Sequence, residues 1–593
     1  MSKTLVIVES PSKAQKIQEY LGKNYIVMAS KGHIADLAKG GKHGIGIDIE
    51  NKFKPRYVLM DDKVDLLDSL ISAAKECDNI LVASDPDREG ESIAWHLSTR
   101  LEDVGKPIKR MVFNEIKKDK LLKAVKDVRD IDMNLFHAQE ARRILDRLVG
   151  FTASPFLINF FGSNLSAGRV QSVVTRMIID REREIEAFVP EEFWTIQVNL
   201  SNKNKESFTT KYSYRITDAK TATSTKDKLS KVNDYVVTDV LAEEEKRSPA
   251  APLVTSSLQQ IMSKVHGFGA DRTMKAAQAL YEAGYCTYIR TDSIRVGDEA
   301  LSEVRGWIKD NNYELPKKPN VFKNKDASQD AHECIRPSDL SLLPGQNFAI
   351  IDPDEKLVYE TIWKYFVASQ MQPAVYNTLK ITIQSKSDIN LELKASGKAL
   401  KSKGFLDILG VNDDSKIDIP NLIKGDSVIL SGDKAVKLEK KQTQPPPRYS
   451  EDKLIKELVN KNIGRPATYA DLLSKITSRN YVEKKGNVYH ATDLGKKITD
   501  ILINFFTFMD YNYTADLESK LDLIENGKED KLEMLKKFYK TFSEEMRKAY
   551  GNYITTQHTC KKCNNFMIEK NGKYGKFYAC VSSSCKYIEN ISA

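Results

Sequence analysis

The stretch Ile80-Leu81-Val82-Ala83-Ser84-Asp85-Pro86-Asp87-Arg88-Glu89-Gly90-Glu91 decides how the N-terminal part of the chain folds. Four apolar residues read as a buried strand, and Pro86 and the acids stop it. The periodic segment Ser92 to Leu101 then predicts a helix. The same alternation appears on either side. Lys3 to Val8 is a buried strand pattern. Ser10 can cap the helix that follows, with Pro11 at its first position and Ile17 and Leu21 as its apolar positions. Tyr25 to Ala29 reads as a second strand and Asp65 to Ala74 as a helix. A mostly parallel sheet with helices on its faces follows from this order.

The acidic turn carries chemistry as well as fold. Asp85, Asp87 and Glu89 offer oxygens at alternating positions, a donor set suited to Mg²⁺. They stand at the carboxyl end of a strand, where open α/β sheets collect ligands. The plainer alternative is a solvated acidic turn that caps the helix at its positive end. Glu9 ends the first strand at the same edge, with Lys13 one helical turn beyond, so Glu9 reads as a general acid or a further Mg²⁺ contact. His33, in Ser30-Lys31-Gly32-His33-Ile34, is expected to close a third strand-like segment facing that edge.

The chain has 593 residues, about four domains at roughly 150 residues each. With 41% hydrophobic and 29% charged residues it can bury several cores. The net charge of +9 suits a polyanionic partner without requiring one. Met1-Ser2-Lys3 leads straight into a strand, and no run approaches the ~18 apolar residues of a membrane span. The expectation is a cytosolic protein with no membrane contact.

Downstream, residues 134–183 are helical and arginine-rich. Residues 193–240 alternate as strands, and Ser256 to Ala283 is helical. Residues 300–370 hold helices and a lysine-rich loop, and 374–440 return to strands. Gln444-Pro445-Pro446-Pro447 is a linker, and 450–550 are helical. The two strand-rich segments are expected to form one domain interrupted by a helical insertion.

That insertion holds Tyr288-Ile289-Arg290-Thr291-Asp292-Ser293 after an apolar helical run that ends at Gly284. A phenolic oxygen can attack phosphorus, and a guanidinium two residues on can hold a phosphate oxygen. One tyrosine among 25 is weak evidence alone. His332, in His332-Glu333-Cys334-Ile335-Arg336, is a second phosphate-binding choice in the same region. Arg142, Arg143, Asp146 and Arg147 share a helix face. Ser166-Ala167-Gly168-Arg169-Val170-Gln171-Ser172 and Gly464-Arg465-Pro466-Ala467-Thr468-Tyr469 are turns that let a phosphate approach closely, so together they suggest a groove tracking a nucleic-acid backbone. Of seven cysteines, Cys560, Cys563, Cys580 and Cys585 stand in two knuckles with the spacing of a structural Zn²⁺ ribbon.

Taken together, these motifs resemble the bacterial DNA topoisomerase I family, the type IA class. The likeness begins at Val8-Glu9-Ser10-Pro11-Ser12-Lys13-Ala14 and includes the acidic turn, Ala141-Arg142-Arg143 with Asp146-Arg147, and both basic turns. It also takes in Thr255-Ser256-Ser257-Leu258-Gln259-Gln260, the Tyr288 segment, Ala331-His332-Glu333 and Pro445-Pro446-Pro447-Arg448-Tyr449. It spans about residues 1 to 550.

The resemblance implies a multidomain α/β and mainly-α fold, arched as a toroid. A Toprim Mg²⁺-binding domain would span 1–135, and a helical DNA-binding domain 136–192 and 445–552. A β-rich arch domain would span 193–254 and 374–444, a helical domain with the active-site tyrosine 255–373, and a zinc ribbon 556–593. It implies that Tyr288 forms a transient link to a 5′ phosphate and that Arg290 stabilises the phosphate. Glu9 and Lys13 would manage the proton of the leaving 3′ oxygen, and His332 would assist. Glu9, Asp85, Asp87 and Glu89 would hold Mg²⁺. The single strand would lie along His33, Arg143, Asp146, Arg147, Arg169, Gln171, Arg465 and Thr468. It further implies a monomer acting in the cytoplasm at the nucleoid, with a contact to the transcription machinery. Religation from phosphotyrosine needs no ATP, and the sequence has no Gly-x4-Gly-Lys-Ser/Thr loop. A Toprim nuclease or primase, or a non-enzymatic DNA-binding protein, are the competing readings. The family often carries several zinc ribbons, whereas one is seen here.

Overall fold

The computed structural model describes residues 3–40, 44–162, 164–323, 332–346, 350, 352–553, 559–562, 567–572, 575–580, 585 and 587–591. Cys563 of the expected zinc set and Ala331 lie outside them.

The N-terminal sheet has four parallel strands in the order Tyr25–Ala29, Thr4–Val8, Asn79–Val82, Ile108–Arg110. Thr4–Val8 is central and has apolar residues on both faces, as a doubly covered parallel strand must. Leu5 and Ile7 pack with Ile80, Val82, Ile93 and Leu97 on one side. Val6 and Val8 pack on the other into a core that also holds Leu258, Leu280, Tyr281 and Tyr288. One face of this sheet is therefore shared with the segment carrying Tyr288.

Local signals explain the helix starts. Ser10 accepts from the Lys13 amide and Pro11 opens the helix Pro11–Leu21. The helix after the acidic turn begins at Arg88, four residues earlier than Ser92, because Asp87 itself is the cap: its Oδ1 accepts from the Gly90 amide at 2.8 Å. His33 closes no strand. Tyr25–Ala29 ends first, and a loop turns through Lys31 and Gly32 at φ 54° and 84°.

The two strand-rich segments share one antiparallel sheet. Its order is Ser207–Tyr212, Glu392–Ser402, Ala374–Ser385, Tyr235–Arg247, Ser427–Leu430, Glu192–Ser201, Val436–Gln442. Ser207–Tyr212 also pairs with Glu192–Ser201, so six strands close on themselves. Tyr235–Arg247 and Ala374–Ser385 pair along their whole length and bring Arg247 opposite Ala374. The helical insertion thus leaves and re-enters the sheet at neighbouring points. Its first part is two helices, Thr255–His266 and Ala270–Glu282, not one, because Gly267 at φ 68° ends the first.

The long helix Met133–Phe161 is long and apolar enough, by length and composition, to cross a membrane. Its apolar residues Ile144, Leu145, Leu148 and Phe156 instead pack with Leu517, Leu521, Leu535 and Phe538 of the helices Tyr511–Glu525 and Lys531–Tyr553. Residues 450–550 are not wholly helical: Val482–Lys485 and Val488–Ala491 form a short hairpin. The proline linker is pinned, with Arg181 donating to the Pro447 carbonyl at 2.8 Å and Arg448 paired with Glu182.

Candidate active site

The site forms where the carboxyl edge of the parallel sheet meets the segment after the helix Ala270–Glu282. Tyr288 stands on irregular backbone, and its amide donates to the Asn114 carbonyl at 2.8 Å. Gly284, at φ 82°, makes this approach possible, because a Cβ there would lie 2.7 Å from the Ile116 carbonyl oxygen. The strand-like neighbour of Tyr288 is reduced to one bridge, Cys286 with Pro337.

Two side-chain contacts join the halves. The Tyr288 hydroxyl donates to Asp87 Oδ2 at 2.6 Å, and Arg290 Nη1 donates to Glu89 Oε2 at 2.9 Å. Burial and then the neighbouring Asp87 carboxylate push the Tyr288 phenol well above its usual range, so it is neutral at physiological pH. Glu89 is held down to about 2 by the bond to His33, with Arg290 adding to the effect. Both Glu89 oxygens are thereby occupied, Oε1 by His33 at 3.2 Å and Oε2 by Arg290.

Behind them lies a second layer. Lys13 is buried and donates to Asp85. Glu9 Oε1 accepts from the Asp85 amide at 2.8 Å. Burial, then the Asp85 carboxylate, push Glu9 up to about 8, so it carries a proton at neutral pH. Gly90 is required where the acidic turn doubles back, since a Cβ there would meet the Asp85 carbonyl oxygen at 2.1 Å.

Glu9, Asp85, Asp87 and Glu89 bring hard oxygen donors to one edge of the sheet, a donor type that suits a divalent cation. Among the described residues, the only three His, Cys, Asp or Glu side chains whose ligand atoms all lie within 4.8 Å of one another are cysteines. The carboxylates are thus more widely spaced than a closed cage, as suits Mg²⁺, which keeps much of its water. Asp87 and Glu89 each have both oxygens engaged, Asp87 by the Gly90 amide and Tyr288 and Glu89 by His33 and Arg290, so a cation there would compete with these contacts.

The arginines expected to face DNA divide into two groups. Arg143 is half exposed and donates to Asp36 at 2.6 Å, and Arg147, itself buried, reaches the same carboxylate at 3.4 Å. Arg169, by contrast, is buried among acids: its guanidinium lies 2.6 Å from the fully buried Glu518 and 3.2 Å from Asp146. Arg465 pairs with Asp522 and sits 4.0 Å from Glu518. Gln171 donates to Ser166 at 3.3 Å, while Thr468 starts the helix Tyr469–Ser478 and exchanges bonds with Arg465. His332 is anchored through its carbonyl by Ser293 at 2.8 Å.

Several site residues carry no local sequence signal. Arg110, wholly buried, donates to the Asp85 carbonyl at 2.6 Å and to Glu91, and Glu91 also takes Arg129 and the Asp132 amide. This network ties the acidic turn to the start of the long arginine-bearing helix. Arg88, inside the acidic motif, reaches Asp522 and Glu525. Arg336 bridges to Glu115 across the same junction that Tyr288 crosses. Glu91 and Arg88 lie within a conspicuous motif, but their partners are far along the chain.

In the tail, Met567–Gly572, Gly575–Cys580 and Ile588–Asn590 form a three-stranded sheet. Cys560, Cys580 and Cys585 gather beside it, with the sulfurs of Cys560 and Cys585 3.6 Å apart. That spacing matches two thiolates on one tetrahedral ion with metal–sulfur bonds of about 2.3 Å.

A Toprim domain profile matches residues 4–116, and the DNA topoisomerase family profile matches residues 130–536. Full-length topoisomerase I from Thermotoga maritima superimposes with a TM-score of 0.81 and 32% sequence identity, over 99% of this chain and 97% of that one. The site therefore stands in a chain that belongs to the bacterial type IA DNA topoisomerase family, an isomerase that breaks and rejoins one DNA strand without ATP.

Proposed function

We propose that Tyr288 is the nucleophile and that the Asp87–Glu89 edge is the surface it closes on. The observation that carries this is the Tyr288 hydroxyl bonded to Asp87 at 2.6 Å inside a buried cluster of acids and cations. In the cleavage step the Tyr288 oxygen bonds to phosphorus and the bond from phosphorus to the 3′ oxygen breaks. The phenolic proton leaves toward Asp87, its present acceptor. Glu9, protonated at neutral pH, gives a proton to the departing 3′ oxygen, with Lys13 beside it. Arg290 exchanges Glu89 for a non-bridging phosphate oxygen and steadies the charge there. Mg²⁺ held by Asp85, Asp87 and Glu89, with Glu9 beside them, would neutralise phosphate charge near the break. His332 assists from the tyrosine side. Religation reverses these steps, and the driving force is supercoil strain.

The single-stranded part of negatively supercoiled duplex is the substrate. It runs past His33, Arg143, Asp146, Arg147, Gln171, Arg169, Arg465 and Thr468. Passage of the second strand needs the insertion to swing away. The paired strands Tyr235–Arg247 and Ala374–Ser385 are the ribbon it hangs from, so the hinge falls near 250 and 374, in keeping with the domain limits given above. The tail binds Zn²⁺ through Cys560, Cys563, Cys580 and Cys585. The same reading carries a monomer working at the nucleoid in the cytoplasm, with a contact to the transcription machinery.

The test is relaxation of negatively supercoiled plasmid with Mg²⁺ and no ATP, wild type beside Tyr288→Phe. Wild type relaxes the plasmid and yields a covalent protein–DNA adduct, and Tyr288→Phe does neither. An undiminished adduct in Tyr288→Phe would overturn the assignment in favour of a Toprim nuclease.

A further inference from the structure

Tyr281 is a wholly buried tyrosine whose hydroxyl has no hydrogen-bond partner among the described residues. Buried hydroxyls are rarely left so, because the group gives up water and gains nothing in exchange. Phenylalanine would fill the same space in the core at no such cost. The position of the ring says what the hydroxyl is for. It lies edge-on to Tyr288, centroids 5.3 Å apart, and the Lys13 ammonium sits over its face at 4.9 Å. Tyr281 belongs to the helix Ala270–Glu282 of the insertion and Lys13 to the parallel-sheet domain, so the ring spans the junction that strand passage must open. The carboxylates acting most strongly on its hydroxyl are Asp85 and then Glu9. The ring thus stands between Tyr288 and Lys13, the residue beside which the reading above puts the leaving oxygen.

We propose that Tyr281 is a further catalytic residue whose hydroxyl donates a hydrogen bond to the departing 3′ oxygen. This rests on the assignment of Tyr288 as nucleophile. Tyr281 keeps its own proton: the Tyr288 oxygen–phosphorus bond forms, the phosphorus–O3′ bond breaks, and Glu9 supplies the proton that the oxygen gains. The hydroxyl lies unpartnered because the atom it serves arrives with the DNA. Its ring holds Lys13 and Tyr288 in register in the meantime.

The test compares Tyr281→Phe with wild type in single-turnover cleavage of a single-stranded oligonucleotide. One substrate carries the natural 3′ oxygen, and the other carries sulfur at the bridging position, which departs as a thiolate and needs little help from a donor. Loss of one hydrogen bond to the leaving atom should slow the oxygen substrate by about 10-fold. The sulfur substrate should be slowed about twofold or less, and the melting temperature of Tyr281→Phe should be unchanged or higher. Equal slowing of both substrates would reduce Tyr281 to a packing residue, and no slowing of the oxygen substrate would also overturn the proposal. Tyr288→Phe is run alongside. An adduct in that variant would bring down the nucleophile assignment itself, a result separable from either outcome for Tyr281.

Discussion

The Tyr288 hydroxyl and the Asp87 carboxylate, 201 residues apart in sequence, share a hydrogen bond of 2.6 Å. The bond does two things at once. It fastens the insertion to the acidic edge of the sheet, and together with burial the Asp87 carboxylate keeps the phenol neutral. Arg290 and Glu89 repeat the pattern one step along, so two side-chain contacts hold the junction closed.

The closeness of this junction is set by Gly284 against the Ile116 carbonyl. Gly284→Ala adds a Cβ at 2.7 Å and places alanine at φ 82°, a backbone cost of about 1–2 kcal/mol. The insertion should back away and carry Tyr288 off Asp87. The expected result is at least about 10-fold slower oligonucleotide cleavage, since roughly 1.4 kcal/mol is tenfold, with single-strand affinity nearly unchanged. Cleavage at the wild-type rate would show that this contact does not set the closed position.

How much of this was legible beforehand follows from distance along the chain. The parallel strands, the Ser10 cap with Pro11, and the acids at a strand end are local patterns, and they stand where the pattern put them. The helix starts at Arg88 rather than Ser92 because the acidic turn itself supplies the cap, Asp87, so the periodic apolar pattern begins a turn later than the helix. The hairpin Val482–Ala491 carries little signal because its strands are four residues each, the first with two lysines, and Val482 and Tyr489 are its buried residues. Glu518, Arg110 and Tyr281 were invisible. Each looks ordinary in its own segment and gains meaning only from residues brought to it by folding.

Glu9 predicts a pH dependence. Its carboxyl sits at about 8 in the folded protein against 4.5 ordinarily, chiefly through burial and then Asp85. Between those values the folded chain holds a proton that the unfolded chain has released. Stability must therefore fall as pH rises through the window from 4.5 to about 8. Melting temperatures in EDTA should drop more across this window for wild type than for Glu9→Gln, and equal slopes would contradict the assignment.

Glu518 is wholly buried and faces Arg169, Arg142 and Arg465 at 2.6, 3.9 and 4.0 Å. These guanidiniums hold its carboxyl far below the usual range. Glu518→Gln leaves Arg169 without its main counter-charge in a dry site, an expected loss of about 3–5 kcal/mol. Urea unfolding should read this loss directly. A change below about 1 kcal/mol, the level of a surface pair, would mean that Asp146 alone suffices for Arg169.

The tail can be separated from the chemistry. Cys560 and Cys585 present sulfurs 3.6 Å apart with Cys580 beside them, while the contacts of Tyr288 and Arg290 among the described residues run to Asp87, Glu89 and Asn114. Metal analysis of the wild type should find one tightly held zinc per chain, and Cys560→Ser should lose most of it, because three thiolates bind far more weakly than four. The variant should still cleave a single-stranded oligonucleotide at the wild-type rate with Mg²⁺, since Asp85, Asp87 and Tyr288 are untouched. Plasmid relaxation should slow, because the aromatic and basic strand Gly575–Cys580 would no longer be held against the rest of the tail for contact with a strand. Loss of oligonucleotide cleavage in parallel with zinc would instead tie the tail to the active site, which none of the contacts around Tyr288 provides for.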